Sequence, residues 1–266
     1  MPSVSINGKS VFYTIDQNDE NPAKTTALLI HGLGSSSCFY KTITPSLKST
    51  ARCISLDTPG SGLSGLGNSE QSISSIARDV VGLLDELQVR EKIVVVGHSM
   101  GGIIASYIAA EHPDRVKGVV LIGPVNPVPA MADVFSKRIE VVKKDGLETF
   151  ANTIPTSATG TKANALQHAF IRSLILGTSS EGYMSLCNVI AKASKPSYDS
   201  IKVPLVILVG SDDKTAPLTG AEAILNAYGT PKDRKRIEIL EGVGHWHCVE
   251  APEDVASHLV RFIDSL

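Results

Sequence analysis

Gly97-His98-Ser99-Met100-Gly101 is the stretch that decides how this chain folds. Before it runs Ile93-Val94-Val95-Val96, a short apolar β-branched run that reads as a buried parallel strand. After it Ile103, Ile104, Tyr107 and Ile108 recur at helical spacing. The five residues are therefore the turn between a strand and a helix. They fit G-x-S-x-G, and in that setting the pattern describes a sharp turn that lifts a serine hydroxyl above a sheet. A side chain two residues to either side of the serine would clash in so tight a turn, and Gly97 and Gly101 carry none.

A serine hydroxyl is a weak nucleophile at neutral pH. It needs a base to take its proton and a third group to orient that base. In strand–turn–helix sites of this type the chain order is Ser, then Asp or Glu, then His. Downstream, the strand-like Leu205-Val206-Ile207-Leu208-Val209 ends in Gly210-Ser211-Asp212-Asp213. The strand-like Ile237-Glu238-Ile239-Leu240 leads into Gly242-Val243-Gly244-His245. Both partners thus lie just past the C-terminal ends of strands, where open α/β sheets place their ligand sites.

Charge developing on an attacked carbonyl oxygen calls for two backbone donors. One is expected from the N–H of Met100, the residue after the serine. The other is expected from a loop after an early strand. Ala27-Leu28-Leu29-Ile30 is such a strand, and His31-Gly32-Leu33-Gly34 follows it, so the second donor is assigned to the N–H of Leu33.

Together these pieces resemble the α/β-hydrolase superfamily. The carrying motifs are His31-Gly32-Leu33-Gly34, Asp57-Thr58-Pro59-Gly60-Ser61-Gly62, Gly97 to Gly102, Gly210-Ser211-Asp212-Asp213 and Gly244-His245, in the family's order. The resemblance implies a mostly parallel central sheet with helices on both faces. It also implies a catalytic triad of Ser99, Asp213 and His245. The family pattern G-x-x-D-x-x-x-P fits Gly210, Asp213 and Pro217 and leaves Asp212 as a solvated loop carboxylate. The family's histidine follows a Gly-x-Gly-like turn, which selects His245 over His247. His31 and His98 read as structural or pocket-lining, His112 as a helix end before Pro113, and His168 and His258 as surface groups without partners.

Within the superfamily the chain is most similar to 3-oxoadipate enol-lactonases and small carboxylesterases. This rests on Gly182-Tyr183 with Cys187, on Ile201-Lys202-Val203-Pro204 and on His98 to Gly102. Those lactonases commonly carry a tryptophan-containing stretch where this chain has Thr153-Ile154-Pro155-Thr156, and its only tryptophan is Trp246. The implied activity is therefore hydrolysis of a small-molecule ester or lactone through an acyl-enzyme, with no metal or organic cofactor. Epoxide and haloalkane hydrolases are disfavoured, because those relatives carry a carboxylate at the position of Ser99. Hydroxynitrile cleavage, acyl transfer, perhydrolysis and a triad-retaining receptor remain open.

The bulk properties agree with a globular enzyme. The 266 residues are 42% hydrophobic and 20% charged, with a formal net charge of -2. No basic stripe marks a nucleic-acid partner, and no apolar run approaches membrane-spanning length. Met1 to Ile6 lacks the basic and apolar segments of a leader. Cys38, Cys53, Cys187 and Cys248 are scattered without a C-x-x-C pair, which points to a reducing, cytoplasmic setting. Cys248 has no sharp strand-to-helix turn of the Ser99 kind around it and reads as packing.

Strand–helix alternation organises residues 1–124 and 197–266 into the two parts of an α/β core, preceded by a hairpin with an Asn7-Gly8 turn. The segment 125–196 breaks that alternation. After Pro124, Pro127 and Pro129 it reads as helices over 131–144, 146–151, 163–176 and 181–193, interrupted by a Thr/Ser-rich stretch at 153–161. It resembles the helical cap that many members of the superfamily insert at this point.

Overall fold

The computed structural model describes residues 2–266, so Met1, the first residue of the stretch read for a leader, lies outside the described residues. Among these residues eight strands form one sheet: β1 Ser3–Ile6, β2 Lys9–Asp16, β3 Thr25–Ile30, β4 Ala51–Leu56, β5 Ile93–His98, β6 Val116–Ile122, β7 Leu205–Gly210 and β8 Lys235–Leu240. Their spatial order is β1-β2-β4-β3-β5-β6-β7-β8. β2 pairs antiparallel with both β1 and β4, and every later pairing is parallel.

The apolar runs explain this arrangement. Ile93 to Val96 are fully buried, as the centre of a sheet covered on both faces requires. Each such side chain contributes about 1.5–3 kcal/mol relative to exposure. Alternate residues serve opposite layers. Leu28, Ile30 and Val95 join a core with α2 (Ile73–Glu86), α3 (Met100–Glu111) and α8 (Leu218–Ala227). Leu29, Val94 and Val96 join a core with α1 (Thr44–Leu47), α9 (His247–Glu250) and α10 (Pro252–Asp264). Helices therefore cover both faces.

The hairpin turns through Asn7 and Gly8 at φ 49° and 77°, the left-handed pair that matches strand twist. It is pinned to α2 by a contact the sequence did not announce. Asp79 accepts from Lys9 Nζ at 2.6 Å and from Asn7 Nδ2 at 2.9 Å, with Lys9 and Asp79 both buried.

Between β6 and β7 four helices replace the alternation: α4 Ala130–Asp145, α5 Glu148–Ser157, α6 Ala165–Leu176 and α7 Ser180–Ala191. Val142, Leu147, Tyr183 and Cys187 form a small core among them. Two boundaries differ in kind from the sequence reading, while the remaining helix ends fall within two residues of it. Gly146 ends α4 at φ 73° instead of opening α5. The Thr/Ser-rich stretch does not interrupt α5 until Ser157, despite Pro155 inside it. The hydroxyls of Thr153, Thr156 and Thr159 bond back to the carbonyls of Thr149, Thr153 and Pro155. Such back-bonding lets a hydroxyl-rich segment run helically.

The parallel register levels the strand ends. Ile30 pairs with Gly97, His98 with Ile122, and Gly210 with Leu240. The loops after β3, β5, β7 and β8 consequently open on one edge of the sheet.

Candidate active site

Ser99 sits at φ 54°, ψ -119°, a backbone conformation that β-carbon-bearing residues rarely adopt. Strain of this kind costs about 1–3 kcal/mol and persists only where the surroundings enforce it. Here the enforcement is close packing. A β-carbon on Gly97 would strike the carbonyl of Gly101, and one on Gly101 would strike the carbonyl of Ile30. The second clash is with the neighbouring strand end and not with the turn itself, so Gly101 also lets α3 approach β3.

The three residues expected to act together lie within hydrogen-bonding distance. Ser99 Oγ is 3.0 Å from His245 Nε2, and His245 Nδ1 is 2.8 Å from Asp213 Oδ2. The Asp213 carboxylate is itself fixed, because its Oδ1 accepts the N–H groups of Thr215 and Ala216, each at 2.8 Å. A carboxylate only accepts, so Nδ1 of His245 donates and Nε2 is left to accept the serine proton. Burial alone would raise the Asp213 carboxyl. The adjacent His245 ring, its hydrogen bond, His247 and the Ala216 N–H outweigh burial and hold it well below the usual carboxylate range.

Met100 is the first residue of α3, where helix N–H groups have no intrahelical partner. Leu33 lines the same cavity as Ser99 and His245. Neither backbone N–H donates to a protein acceptor among the described residues. The Leu33 loop is tied down by His31, whose Nδ1 donates to Gly32 O at 2.7 Å while its Nε2 accepts from Thr58 N–H at 3.0 Å.

Several supporting residues escaped the sequence reading. Two neutral imidazoles hold the His245 carbonyl: His98 Nε2 donates to it at 2.8 Å and His247 Nδ1 at 3.0 Å. Burial pushes the His98 pKa well below its usual value and that of His247 to about 4. Glu250 is buried. Its carboxylate accepts from Gly160 N–H at 2.6 Å, Gly244 N–H at 2.9 Å and Trp246 N–H at 2.8 Å. It therefore clamps both neighbours of His245 to the turn between α5 and α6. His245 N–H reaches the same turn through Ala158 O at 2.7 Å. Asp212 is no free carboxylate either: its Oδ2 accepts from the N–H and the hydroxyl of Thr161, each at 3.0 Å. His168 bonds Thr159 and His258 accepts from Arg261, so both have partners the sequence did not reveal. Among the described residues no group of three His, Cys, Asp or Glu side chains is placed to hold a metal ion.

These buried imidazoles make stability depend on pH. The folded-state pKa values of His31, His98 and His247 are all lowered, so the unfolded chain binds more protons below pH 6.5. Their neutral forms cost nothing above that pH, and stability falls as pH drops toward 4. His247 alone accounts for about 3 kcal/mol across that window. Glu250, whose pKa burial raises, opposes the trend by at most one proton. The urea midpoint is expected to drop clearly between pH 7 and pH 5 and to recover part of the loss in a His247→Asn variant. A midpoint that holds steady or rises would contradict this.

The alpha/beta hydrolase fold family matches residues 27–252, and the chain belongs to that family. Among solved structures it is similar to the enol-lactonase from Burkholderia xenovorans LB400, with a TM-score of 0.89 and 25% identity, covering 99% of this chain and 100% of that one. Among curated relatives it is 23% identical to the monoacylglycerol lipase abhd6-A of Xenopus laevis, over 91% of this chain and 76% of that protein. It is 27% identical to a 2-hydroxy-6-oxononadienedioate/2-hydroxy-6-oxononatrienedioate hydrolase of Paraburkholderia phymatum, over 94% of this chain and 90% of that protein. No helix among the described residues is long and apolar enough to cross a membrane.

Proposed function

We propose that the protein is a serine hydrolase that cleaves a small-molecule ester or lactone through an acyl-enzyme. The observation that carries this reading is the continuous hydrogen-bonded line Ser99–His245–Asp213, set beside the free N–H groups of Leu33 and Met100. The names of the relatives, an enol-lactonase and a lipase among them, support the ester or lactone class.

On this reading Ser99 Oγ attacks the acyl carbon as its proton passes to His245 Nε2. Asp213 keeps the imidazole in the required tautomer and stabilises its cation. The N–H groups of Leu33 and Met100 receive the oxyanion, and one such donor contributes about 2.7–4 kcal/mol to the transition state. The alcohol leaves with the proton from His245, and a water activated by the same ring releases the acid. The segment 125–196 acts as a cap, because α4, α5, α6 and α7 each lend residues to the cavity over Ser99. That cavity measures about 140 Å3, below the roughly 300–1,000 Å3 of drug-sized pockets, so the acyl group is short.

The test is turnover of p-nitrophenyl acetate and butyrate, together with labelling by a fluorophosphonate and mapping of the modified residue. Hydrolysis with Ser99 as the labelled position is expected. Folded protein that shows neither turnover nor labelling would end the proposal.

A further inference from the structure

Among the described residues, hydrogen bonds join α4 to α7 and their turns to the core along two seams. On the first, α7 rests on the chain ahead of α2. Gln71 Nε2 donates to Ser185 Oγ at 3.0 Å, and the exposed Glu70 accepts from Asn188 at 3.1 Å and from the exposed Lys192 at 2.6 Å. On the second, the turn between α5 and α6 lies against the loop that carries His245. His245 N–H donates to Ala158 O at 2.7 Å, and Lys162 N–H donates to Gly242 O at 3.3 Å. Glu250 and Asp212 accept from Gly160 and Thr161 of the same turn. Only this second seam runs through a member of the triad.

Glycine makes so close an approach possible. A β-carbon on Gly160 would strike the carbonyl of Gly242, and one on Gly244 would lie 2.5 Å from Gly160 N and from Thr159 C. Neither Gly160 nor Gly244 has a positive φ, so space, and not backbone conformation, demands them. Ala158 serves twice. Its carbonyl holds His245, and it lines the cavity over Ser99 together with Ile154 and Ser157. The wall that meets a substrate is therefore also the support of the imidazole. That support has a mechanical use. One hydrogen bond from Nδ1 to Asp213 leaves the ring free to pivot about it. The second fixed point is the backbone at 244–246, which Ala158 O and the Glu250 carboxylate hold.

We propose that the α5–α6 turn positions the general base. Through Gly160, Ala158 and the buried Glu250 it keeps His245 Nε2 at 3.0 Å from Ser99 Oγ, so these helices govern the rate of the chemical step as well as the shape of the pocket. Gly160 and Glu250 are positioning residues that act through His245 and touch no substrate. A reacting group displaced by about 1 Å can lose about 10²-fold in rate, and a turn pushed off the 242–245 loop displaces the imidazole on that scale. This rests on the reading of His245 as base to Ser99.

The test compares Gly160→Ala and Glu250→Gln with Lys192→Ala, which cuts only the α7 seam. With p-nitrophenyl butyrate, Gly160→Ala and Glu250→Gln are each expected to lower kcat by about 10- to 100-fold while KM changes by less than about threefold. Lys192→Ala is expected to keep both constants. The Nδ1 proton of His245, seen as a low-field NMR resonance that His245→Ala lacks, should broaden or vanish in the first two variants and persist in Lys192→Ala. A kcat within about threefold of wild type in folded Gly160→Ala and Glu250→Gln would overturn the proposal, and so would a loss carried by KM alone. If Gly160→Ala does not fold, Glu250→Gln decides. If the wild-type protein hydrolyses no ester, the nucleophile reading fails separately, and the resonance still decides whether the turn positions His245.

Discussion

Ser99→Ala is expected to lower ester turnover by about 10⁶-fold while leaving the fold intact. Removing a nucleophile that acts as one unit with its base costs about as much as removing the whole triad. The substitution deletes only Oγ. The β-carbon, and with it the positive φ of 54°, is unchanged, so the strain at the turn neither rises nor relaxes. The single interaction lost is the 3.0 Å contact with His245 Nε2. His245 keeps its other restraints: Asp213 on the ring, and His98 and His247 on its carbonyl. The thermal midpoint should therefore stay within a few degrees of wild type, and residual catalysis should reflect the N–H groups of Leu33 and Met100 alone. Turnover within tenfold of wild type would mean that another group attacks.

Much of this site is legible in the sequence alone, for a physical reason. Parallel strands buried on both faces must be apolar runs, so Ile93 to Val96 and Leu205 to Val209 stand out in the sequence. The chemistry of an open α/β sheet gathers at the ends of such runs. Local chemistry also announced the Asn7-Gly8 turn, whose positive φ values few residues accept.

What escaped reading depends on chain segments that meet only in three dimensions. Glu250 looks like an acidic residue ahead of the last helix, yet it is buried and gathers N–H groups from Gly160, Gly244 and Trp246. Gly160 lies 90 residues away, and nothing local brings it there. Arg138 is one basic residue among several on α4, and only its place on the wall of the cavity over Ser99 sets it apart. The end of α5 is not legible in the sequence, because threonine hydroxyls can either break a helix or bond back to it. Burial against α6 and the sheet decides that choice, and burial is not visible in composition.

The paired substitutions Asp213→Asn and Asp212→Asn separate the two adjacent carboxylates. Asp213→Asn is expected to lower kcat by about 10⁴-fold, the cost seen when a triad acid becomes an amide and the histidine takes the wrong tautomer. The geometry requires this. His245 Nδ1 now donates to Asp213 Oδ2, and Oδ1 is committed to Thr215 and Ala216 N–H. An asparagine that keeps its carbonyl oxygen on those two N–H groups must turn its NH₂ toward Nδ1. That nitrogen then becomes the acceptor, and Nε2 carries the proton it should receive from Ser99. Asp212 acts elsewhere. Its Oδ2 holds Thr161, on the turn that Glu250 also clamps, and an asparagine oxygen can still accept from Thr161 N–H. Asp212→Asn is therefore expected to change kcat by less than about fivefold, within the 1.4 kcal/mol that separates a tenfold difference. A rate loss of 10³-fold or more in Asp212→Asn, with Asp213→Asn near wild type, would transfer the acid's role to Asp212. That outcome would demand a different rotation of the β7 loop, because only Asp213 lies within reach of the His245 ring.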